Sequence, residues 1–189
     1  MEHTTNAQPV FDTRGFRHAL GRFASGITVL TVHHDGRPHG MTVNSFVSVS
    51  LDPPLILVSL DNRSFMHRVL PGVGRFGISV LAQNQDALSN HFAGRIAPDL
   101  HIRFISRDGV PLLEGAAAYF IARVEDAHRA GDHTLYISRV EHFEWNDERP
   151  LLFYGGQYRH IAGEKGQPVP YAQDDYSLFS IGSFDPPVR

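Results

Sequence analysis

The sequence predicts a mainly β protein, an antiparallel barrel with a few helices. Two observations favour this class. Runs of strand-forming residues clearly outnumber helical runs, and the helical runs lie between hairpins instead of alternating with strands. At 189 residues the chain is long enough for one sizeable domain and too short for two independent ones.

The first element is predicted to be a helix. Asp12 or Thr13 can cap its start, and Gly26 is expected to end it. Its apolar residues recur at helical spacing: Phe16, Leu20 and Phe23.

Residues 27–51 indicate two β-rich runs joined by a turn at Asp35-Gly36. The second run, "GMTVNSFVSVSLDPPL", is unusually rich in hydroxyl and amide groups for a core strand, and Pro53-Pro54 stops it. By parity, Met41, Val43, Val47, Val49 and Leu51 share one face, and Thr42, Asn44, Ser48 and Ser50 share the other. The polar face is expected to meet either water or a ligand that forms hydrogen bonds.

The remaining elements are predicted in order. They are a short strand at 55–60, a helix in "NRSFMHRVLPG" ended by Pro71-Gly72, a strand at 75–81 and a helix within 84–94. Two strands within 116–145, split by a loop at 127–132, and a last strand at 150–160 broken by Gly155-Gly156 follow. The tail after Gly163 indicates an extended arm or a partly disordered end.

Composition excludes several functions. The formal charge of -3 provides no basic field for nucleic acid or acidic lipid, and the absence of cysteine excludes disulfides, thiol nucleophiles and thiolate metal sites. No apolar run approaches the length of a membrane helix, and the first residues lack the apolar segment of a signal peptide. A cytoplasmic domain that binds neither nucleic acid nor membrane is expected.

Common catalytic signatures are missing or misplaced. Residues 72–77, "GVGRFG", match the dinucleotide-binding glycine pattern, but a β-like run follows where a helix should open, so the glycines are expected to serve a turn. The histidines show no metal-ligand spacing, and no metal site is expected. No G-x-S-x-G hydrolase turn occurs.

The stretch "GMTVNSFVSVSLDPPLILVSL" closely resembles the short-chain flavin reductases, the small components of two-component flavin-dependent monooxygenases. Further resemblance lies in "FRHALGRFASGITVLTV", "GRFGISVLAQNQDALSNHFAG", "GDHTLYISRVE" and "PLLFYGGQYR", in the family's order. The resemblance implies a split β-barrel of Greek-key type (an FMN-binding split barrel) with a few peripheral helices. It covers a domain at 11–160 and implies a homodimer with flavin near the interface. Residues 161–189 lie outside the resemblance and are expected to form a C-terminal arm or tail.

By this resemblance, one segment holds most of the flavin contacts. Those residues are Thr42, Asn44, Ser45, Phe46, Val47, Ser48, Ser50 and Leu51. Arg63 and Ser64 stand where the family meets phosphate, a role that suits a guanidinium. Phe92 and Ala93 would pack the rest of the flavin, although the spacing of Phe92 from Leu88 equally fits a core residue.

The resemblance also implies a nicotinamide site. His133, in Gly131-Asp132-His133, would position the nicotinamide or assist protonation as the catalytic residue. Phe153, Tyr154, Gly155 and Gly156 would complete that side, with the glycines allowing close backbone approach, and Tyr158 is a further candidate. Hydride would pass from NADH or NADPH to FMN or FAD, and reduced flavin would serve a partner monooxygenase.

Two alternatives stay open at this point. One is a split barrel that binds flavin or haem without turnover, which would need no nicotinamide site at residues 131–133. The other is an oxidase of a pyridoxine-like phosphate, which demands a denser basic pocket than this sequence offers. FMN and FAD are not separated, and NADH is preferred over NADPH only because no arginine cluster for a 2′-phosphate is evident.

Overall fold

The computed structural model describes residues 11–162. Within them lie three helices, α1 (Thr13–Leu20), α2 (Phe65–Val73) and α3 (Asp86–Phe92). The first strands are β1 (Ser25–Gly26), β2 (Thr28–His34), β3 (Arg37–Val43), β4 (Val47–Leu51), β5 (Pro54–Asp61) and β6 (Arg75–Val80). They are followed by β7 (Phe104–Arg107), β8 (Val110–Leu113), β9 (Ala118–Ala130), β10 (His133–Trp145), β11 (Leu152–Tyr154) and β12 (Gln157–Arg159). The fold is therefore mainly antiparallel β, as predicted.

Seven strands form the main sheet, in the order β3-β2-β6-β9-β10-β5-β4, and every neighbouring pair is antiparallel. The chain passes from β3 at one end of this order to β4 at the other through residues 44–46 alone. In this linker the Ser45 hydroxyl donates to the Ser59 carbonyl at 2.8 Å and accepts from the Ser59 amide at 3.0 Å. The contact brings the end of β3 against β5 and curls the sheet towards a closed barrel.

Buried apolar side chains fill the space that this curled sheet encloses, and α2 contributes Met66 and Leu70 to the same cluster. A second cluster, built on Ile27, Val29 and Leu151, lies beside β1 and β11. The small sheet β1-β11-β12 and helix α3 pack there. Helix α2 therefore packs with the first core, and helix α3 and the β11–β12 hairpin pack with the second.

Local turn signals are confirmed. Asp35 and Gly36 connect β2 to β3 with positive φ angles of 50° and 72°, a conformation that Asp and Gly tolerate well. Helices α2 and α3 and strand β6 lie where the sequence predicts them, with small shifts in their ends.

Two predicted helix ends are wrong. Helix α1 ends at Gly21, five residues before the expected Gly26, which instead lies in β1. Helix α2 continues through Pro71 and ends at Gly74, which adopts a left-handed conformation with φ of 63°. Proline has no backbone N–H, so Pro71 cannot donate the helical hydrogen bond to the His67 carbonyl. The helix tolerates this loss because it occurs near its end, where the Tyr136 hydroxyl lies 3.5 Å from the same carbonyl.

The prediction of one continuous polar strand face is also wrong. The run is divided into β3 and β4 by the 44–46 linker, and a bulge lies between Ser48 and Ser50. Both features interrupt the alternation of side chains between the two faces of a strand. Odd and even positions therefore do not keep the same face on the two sides of the linker or of the bulge. Val43 is 6% exposed, whereas Val47 and Leu51 of the same predicted face are 51% and 56% exposed.

Three further differences concern the second half of the chain. The expected loop at 127–132 is only a short turn, because β9 continues to Ala130 and β10 begins at His133. The predicted last strand is a hairpin of β11 and β12. The β7–β8 hairpin was not predicted at all. The expected arm at 161–189 lies, from residue 163 onward, outside the described residues.

The glycines of "GVGRFG" have separate roles. Gly74 ends α2, as a turn glycine should. Gly77 lies inside β6, where an added Cβ would stand 2.7 Å from both Leu112 Cδ2 and the Pro111 carbonyl oxygen. Its small size is therefore needed for the packing of β8 on β6, which is a role that the turn prediction missed.

Candidate active site

Two clefts meet at the end of β3. The larger has a volume of about 530 Å³ and includes Ala93, Phe153 and Gly156 in its lining. The smaller, of about 300 Å³, includes Ser45, Ser64 and His133. Thr42 and Asn44 line both clefts, so these two residues form the junction between them. Residues predicted for flavin and for nicotinamide are thereby brought to one continuous region.

The junction residues differ in how they are held. The Thr42 hydroxyl donates to the Ser89 carbonyl at 2.7 Å, which fixes β3 against α3. Asn44 is exposed in the linker, and its side-chain amide forms no hydrogen bond with the part of the chain that the structure describes. The Asn44 amide therefore has both donor and acceptor capacity for a ligand.

The next two linker residues have structural contacts. Ser45 lines the smaller cleft, but its hydroxyl is already engaged twice by Ser59. The Phe46 ring packs on Phe120 with 5.4 Å between the ring centroids, at the margin of the main core. These contacts hold the linker in place and position Asn44.

Ser64 and Arg63 precede α2. The Ser64 hydroxyl caps the helix by accepting from the His67 amide at 3.1 Å. The Arg63 side chain is 86% exposed and forms a two-point contact with Asp61, in which its Nη2 lies 2.7 Å from Oδ2. Hydrogen bonds from Arg63 hold the pKa of Asp61 far below the usual carboxyl range. An anion that approached Arg63 would have to share the guanidinium with this carboxylate.

The turn that carries His133 is anchored by Asn62. The Asn62 backbone amide donates to the Asp132 carbonyl at 2.9 Å, and its Nδ2 donates to the Gly131 carbonyl at 3.4 Å. The Thr134 hydroxyl donates to Asn62 Oδ1 at 2.7 Å. Asn62 thus contacts the turn on both sides of His133, although nothing in the sequence pattern connects the two segments.

His133 Nδ1 lies 2.7 Å from Asp132 Oδ1, and this hydrogen bond lowers the pKa of Asp132. A carboxylate acceptor at Nδ1 favours the tautomer in which Nδ1 carries the proton. The neutral ring then has Nε2 as its acceptor in a side chain that lines the smaller cleft.

The β11–β12 hairpin forms the far wall of the larger cleft. Phe153 packs on Tyr158, and the Tyr158 hydroxyl donates to the Ser89 side chain at 2.9 Å, so hairpin and α3 are joined. Gly155 and Gly156 have positive φ angles of 60° and 79°, and an added Cβ would meet no atom of residues 11–162 within 4 Å at either position. Their backbone conformation, not crowding, therefore requires glycine.

Several predicted flavin residues lie away from both clefts. Val47, Ser48, Ser50 and Leu51 belong to the edge strand β4. The Phe92 ring packs in the second core, where it covers Gly40 so closely that an added Cβ would lie 2.6 Å from the ring. Tyr154, which was predicted for the nicotinamide side, is 36% exposed and also lines neither cleft. The segments predicted from the resemblance reach the clefts, but only some of their side chains line them.

Three residues of the larger cleft were not predicted from the sequence. Ser89, Asn90 and Arg95 line the larger cleft. The recurrence of polar residues on one side of the predicted 84–94 helix was the available signal for Ser89 and Asn90. Arg95 follows the helix end, and no pattern marked it.

The chemistry of the clefts is hydrogen bonding and ring packing. Hydroxyl and amide groups at the junction, with Phe153 nearby, provide the donors, acceptors and apolar surface that suit a flat heteroaromatic ring such as flavin. Over residues 11–162, no cluster of three or more histidine, aspartate or glutamate side chains could hold a metal ion. Among the helices of the same residues, none has the length and apolarity needed to cross a membrane.

Comparisons with known proteins identify the family of this chain. Residues 20–162 match the model of the family described as "Flavin reductase like domain". An NADH-dependent flavin reductase from a Rhodococcus species is 48% identical over 148 residues, which are 77% of this chain and 84% of that protein.

Solved structures are similar as well. The flavin reductase PheA2 in its native state superposes with a TM-score of 0.79 at 38% identity, covering 81% of this chain and all of that one (100%). The styrene monooxygenase flavin reductase SMOB from Pseudomonas putida S12 gives a TM-score of 0.74 at 41% identity, covering 79% of this chain and 99% of that one. The family match spans most of the described residues, and the antiparallel barrel is shared with the solved relatives; this chain is a split-barrel member of the flavin reductase family.

Proposed function

We propose that this protein is an NADH-dependent flavin reductase that transfers a hydride from NADH to FMN or FAD and supplies the reduced flavin to a partner monooxygenase. The observation that carries the proposal is the junction at Thr42 and Asn44, where a cleft that contains His133 meets a cleft that contains Phe153. A flavin ring held at this shared wall lies beside the nicotinamide residues of both clefts, and direct hydride transfer requires such contact between the two rings. The names of the similar proteins, an NADH-dependent flavin reductase and the flavin reductase of styrene monooxygenase, support the same activity.

The flavin, when bound, provides the ring that accepts the hydride. The protein's own residues bind the flavin and the nicotinamide and orient the two rings. Thr42 and Asn44 contact the ring edges, the Ser64 end of α2 and Arg63 face the phosphate, and Phe153 with Gly156 forms the nicotinamide side. His133, held through Nδ1 by Asp132, orients the nicotinamide with its Nε2.

The proposal includes a homodimer in the cytoplasm, where NADH is available. Its support is the number of large apolar side chains that a single chain leaves exposed. Helix α1 buries none of its residues, and Phe16 and Leu20 on it are 50% and 56% exposed. Trp145 of β10 is 73% exposed and stacks on Phe143. Such surfaces are commonly covered by a second subunit.

The direct test is to mix the purified protein with NADH and FMN, then with NADH and FAD, and to follow the loss of NADH absorbance in air. We expect rapid, flavin-dependent oxidation, and the faster reaction identifies the preferred flavin. NADPH in place of NADH tests the nucleotide, and we expect it to be the poorer donor. Flavin binding without consumption of either nucleotide would contradict the proposal and identify a flavin-binding protein instead.

A further inference from the structure

A third cleft lies on the other side of the β11–β12 turn. Helix α1 lines it, its volume is about 530 Å³, and Gly156 contributes to it as well as to the larger cleft of the site. We call it the α1 cleft. Its basic lining consists of Arg14, Arg17 and His18. Building on the reductase function proposed above, we propose that the α1 cleft binds the diphosphate of the nicotinamide dinucleotide.

The charge of the α1 cleft differs from that of the chain. The whole chain carries a formal charge of -3, yet among residues 11–162 this cleft contains two arginines and a single carboxylate, Asp12. Asp12 Oδ1 accepts from the Gly15 amide at 2.9 Å, because Asp12 caps α1. Neither Arg14 nor Arg17 forms an ion pair with a carboxylate of residues 11–162. The two guanidinium groups are therefore available to an anion.

The position of the α1 cleft relative to the site is fixed. The Gly155 amide donates to the Gly21 carbonyl at 2.8 Å, which ties the end of α1 to the glycine turn. No Cβ stands at Gly155 or Gly156, so a ligand can cross the turn against bare backbone. A ligand with its nicotinamide beside Phe153 reaches the α1 cleft by crossing Gly156, the residue common to both clefts.

The chemistry of the ligand follows from this arrangement. A dinucleotide carries its negative charge at the diphosphate, between the nicotinamide and adenine halves. Arginine binds phosphate oxygens through paired N–H donors. Two guanidinium groups one helical turn apart on α1 present several of these donors. FAD also contains a diphosphate, so the experiment must distinguish the diphosphate of NADH from that of FAD.

The experiment compares wild-type protein with an Arg14→Gln/Arg17→Gln variant, using FMN as the acceptor. We expect the KM for NADH to rise about tenfold, since lost charge-assisted hydrogen bonds of this kind lower affinity on that scale. The KM for N-benzyl-dihydronicotinamide, a donor without phosphate, should not change. An Arg14→Lys/Arg17→Lys variant should recover part of the loss, and Arg37→Gln, at the β2–β3 hairpin outside the clefts, is the matched control.

Three results would overturn the proposal. They are an unchanged KM for NADH, an equal rise in KM for the phosphate-free donor, and a weaker Kd for FAD with an unaltered KM for NADH. The last result would assign the α1 cleft to the flavin diphosphate. If the wild-type protein oxidises neither donor, the reductase function itself fails. The same variants are then compared by calorimetric binding of NAD⁺, and an unchanged Kd overturns the diphosphate site.

Discussion

The Ser45 hydroxyl forms two hydrogen bonds with the backbone of Ser59 at the point where the barrel closes. One hydroxyl, from a three-residue linker, satisfies both the carbonyl and the amide of a residue on another strand, at 2.8 and 3.0 Å. Ser45→Ala leaves both Ser59 groups without this partner in a partly buried position. We expect a loss of about 1–3 kcal/mol in the free energy of unfolding, measured by urea denaturation.

The exposed Ser106 of β7 offers the matched control, because its hydroxyl forms no hydrogen bond within residues 11–162. Ser106→Ala should change the unfolding free energy by less than about 0.5 kcal/mol. Equal stability of the Ser45 and Ser106 variants would show that the hydroxyl does not hold the barrel closed.

Asn62 is expected to act through His133 without contacting a substrate. Asn62→Ala removes the bonds from its side chain to Gly131 and from Thr134, so the turn loses its alignment. The KM for NADH should rise several-fold while the Kd for flavin stays constant. Asn62→Asp keeps the acceptor for Thr134 and loses the donor to Gly131, so it should give an intermediate KM.

His133→Ala is the reference for this series, because it removes the side chain that Asn62 is expected to position. Adding Asn62→Ala to His133→Ala should raise the KM for NADH little further, as expected for two residues that act as one unit. Additive increases in the double variant would mean that Asn62 acts independently of His133.

Variants of Asn44 and Ser48 distinguish flavin binding in the clefts from flavin binding on the edge strand β4. Both belong to the polar set that the sequence assigns to flavin, but only Asn44 lies at the junction of the two clefts. Asn44→Ala should raise the flavin Kd about tenfold, the scale of one or two lost hydrogen bonds, as measured by flavin fluorescence quenching. Ser48→Ala should leave the Kd unchanged. A larger rise in flavin Kd for Ser48→Ala than for Asn44→Ala would mean that the flavin contacts lie on β4.

Gly77 is predicted to tolerate no side chain. In Gly77→Ala the new Cβ would lie 2.7 Å from the Pro111 carbonyl oxygen, a backbone atom that cannot move alone. The expected cost is about 1–3 kcal/mol of stability, visible as a lower Tm. Gly72→Ala, in α2 with no atom within 4 Å of the new Cβ, should hold or raise the Tm. A Tm for Gly77→Ala equal to that of the wild type would contradict the packing of β8 on β6.

The sequence predicts features that depend on neighbouring residues and misses those that depend on distant ones. The Asp35-Gly36 turn and helix α3 follow from local composition, and the fold class follows from the order of the runs. The break at residues 44–46 does not, because β-prone residues lie on both sides and the reason for the break is the crossing to the other end of the sheet.

The same distinction applies to the site. Resemblance identifies Thr42, Asn44 and His133, and the structure brings all three to the smaller cleft. It cannot identify Asn62 as an anchor, since Thr134 is 72 residues away along the chain. Nor can it separate a ring that faces a ligand from one that packs inward, as the Phe92 ring does over Gly40.

The closure of the barrel by one short linker has a thermodynamic consequence. Asn44 belongs to this linker, so a flavin bound at Asn44 would lie across the seam that Ser45 closes, in the cleft that His133 also lines. Such a ligand stabilises the folded chain by an amount that depends on its concentration, about 2.7 kcal/mol at one hundred times its Kd. Heat resistance of this protein should therefore follow the flavin and nicotinamide content of its surroundings, and the apparent Tm becomes a readout of site occupancy.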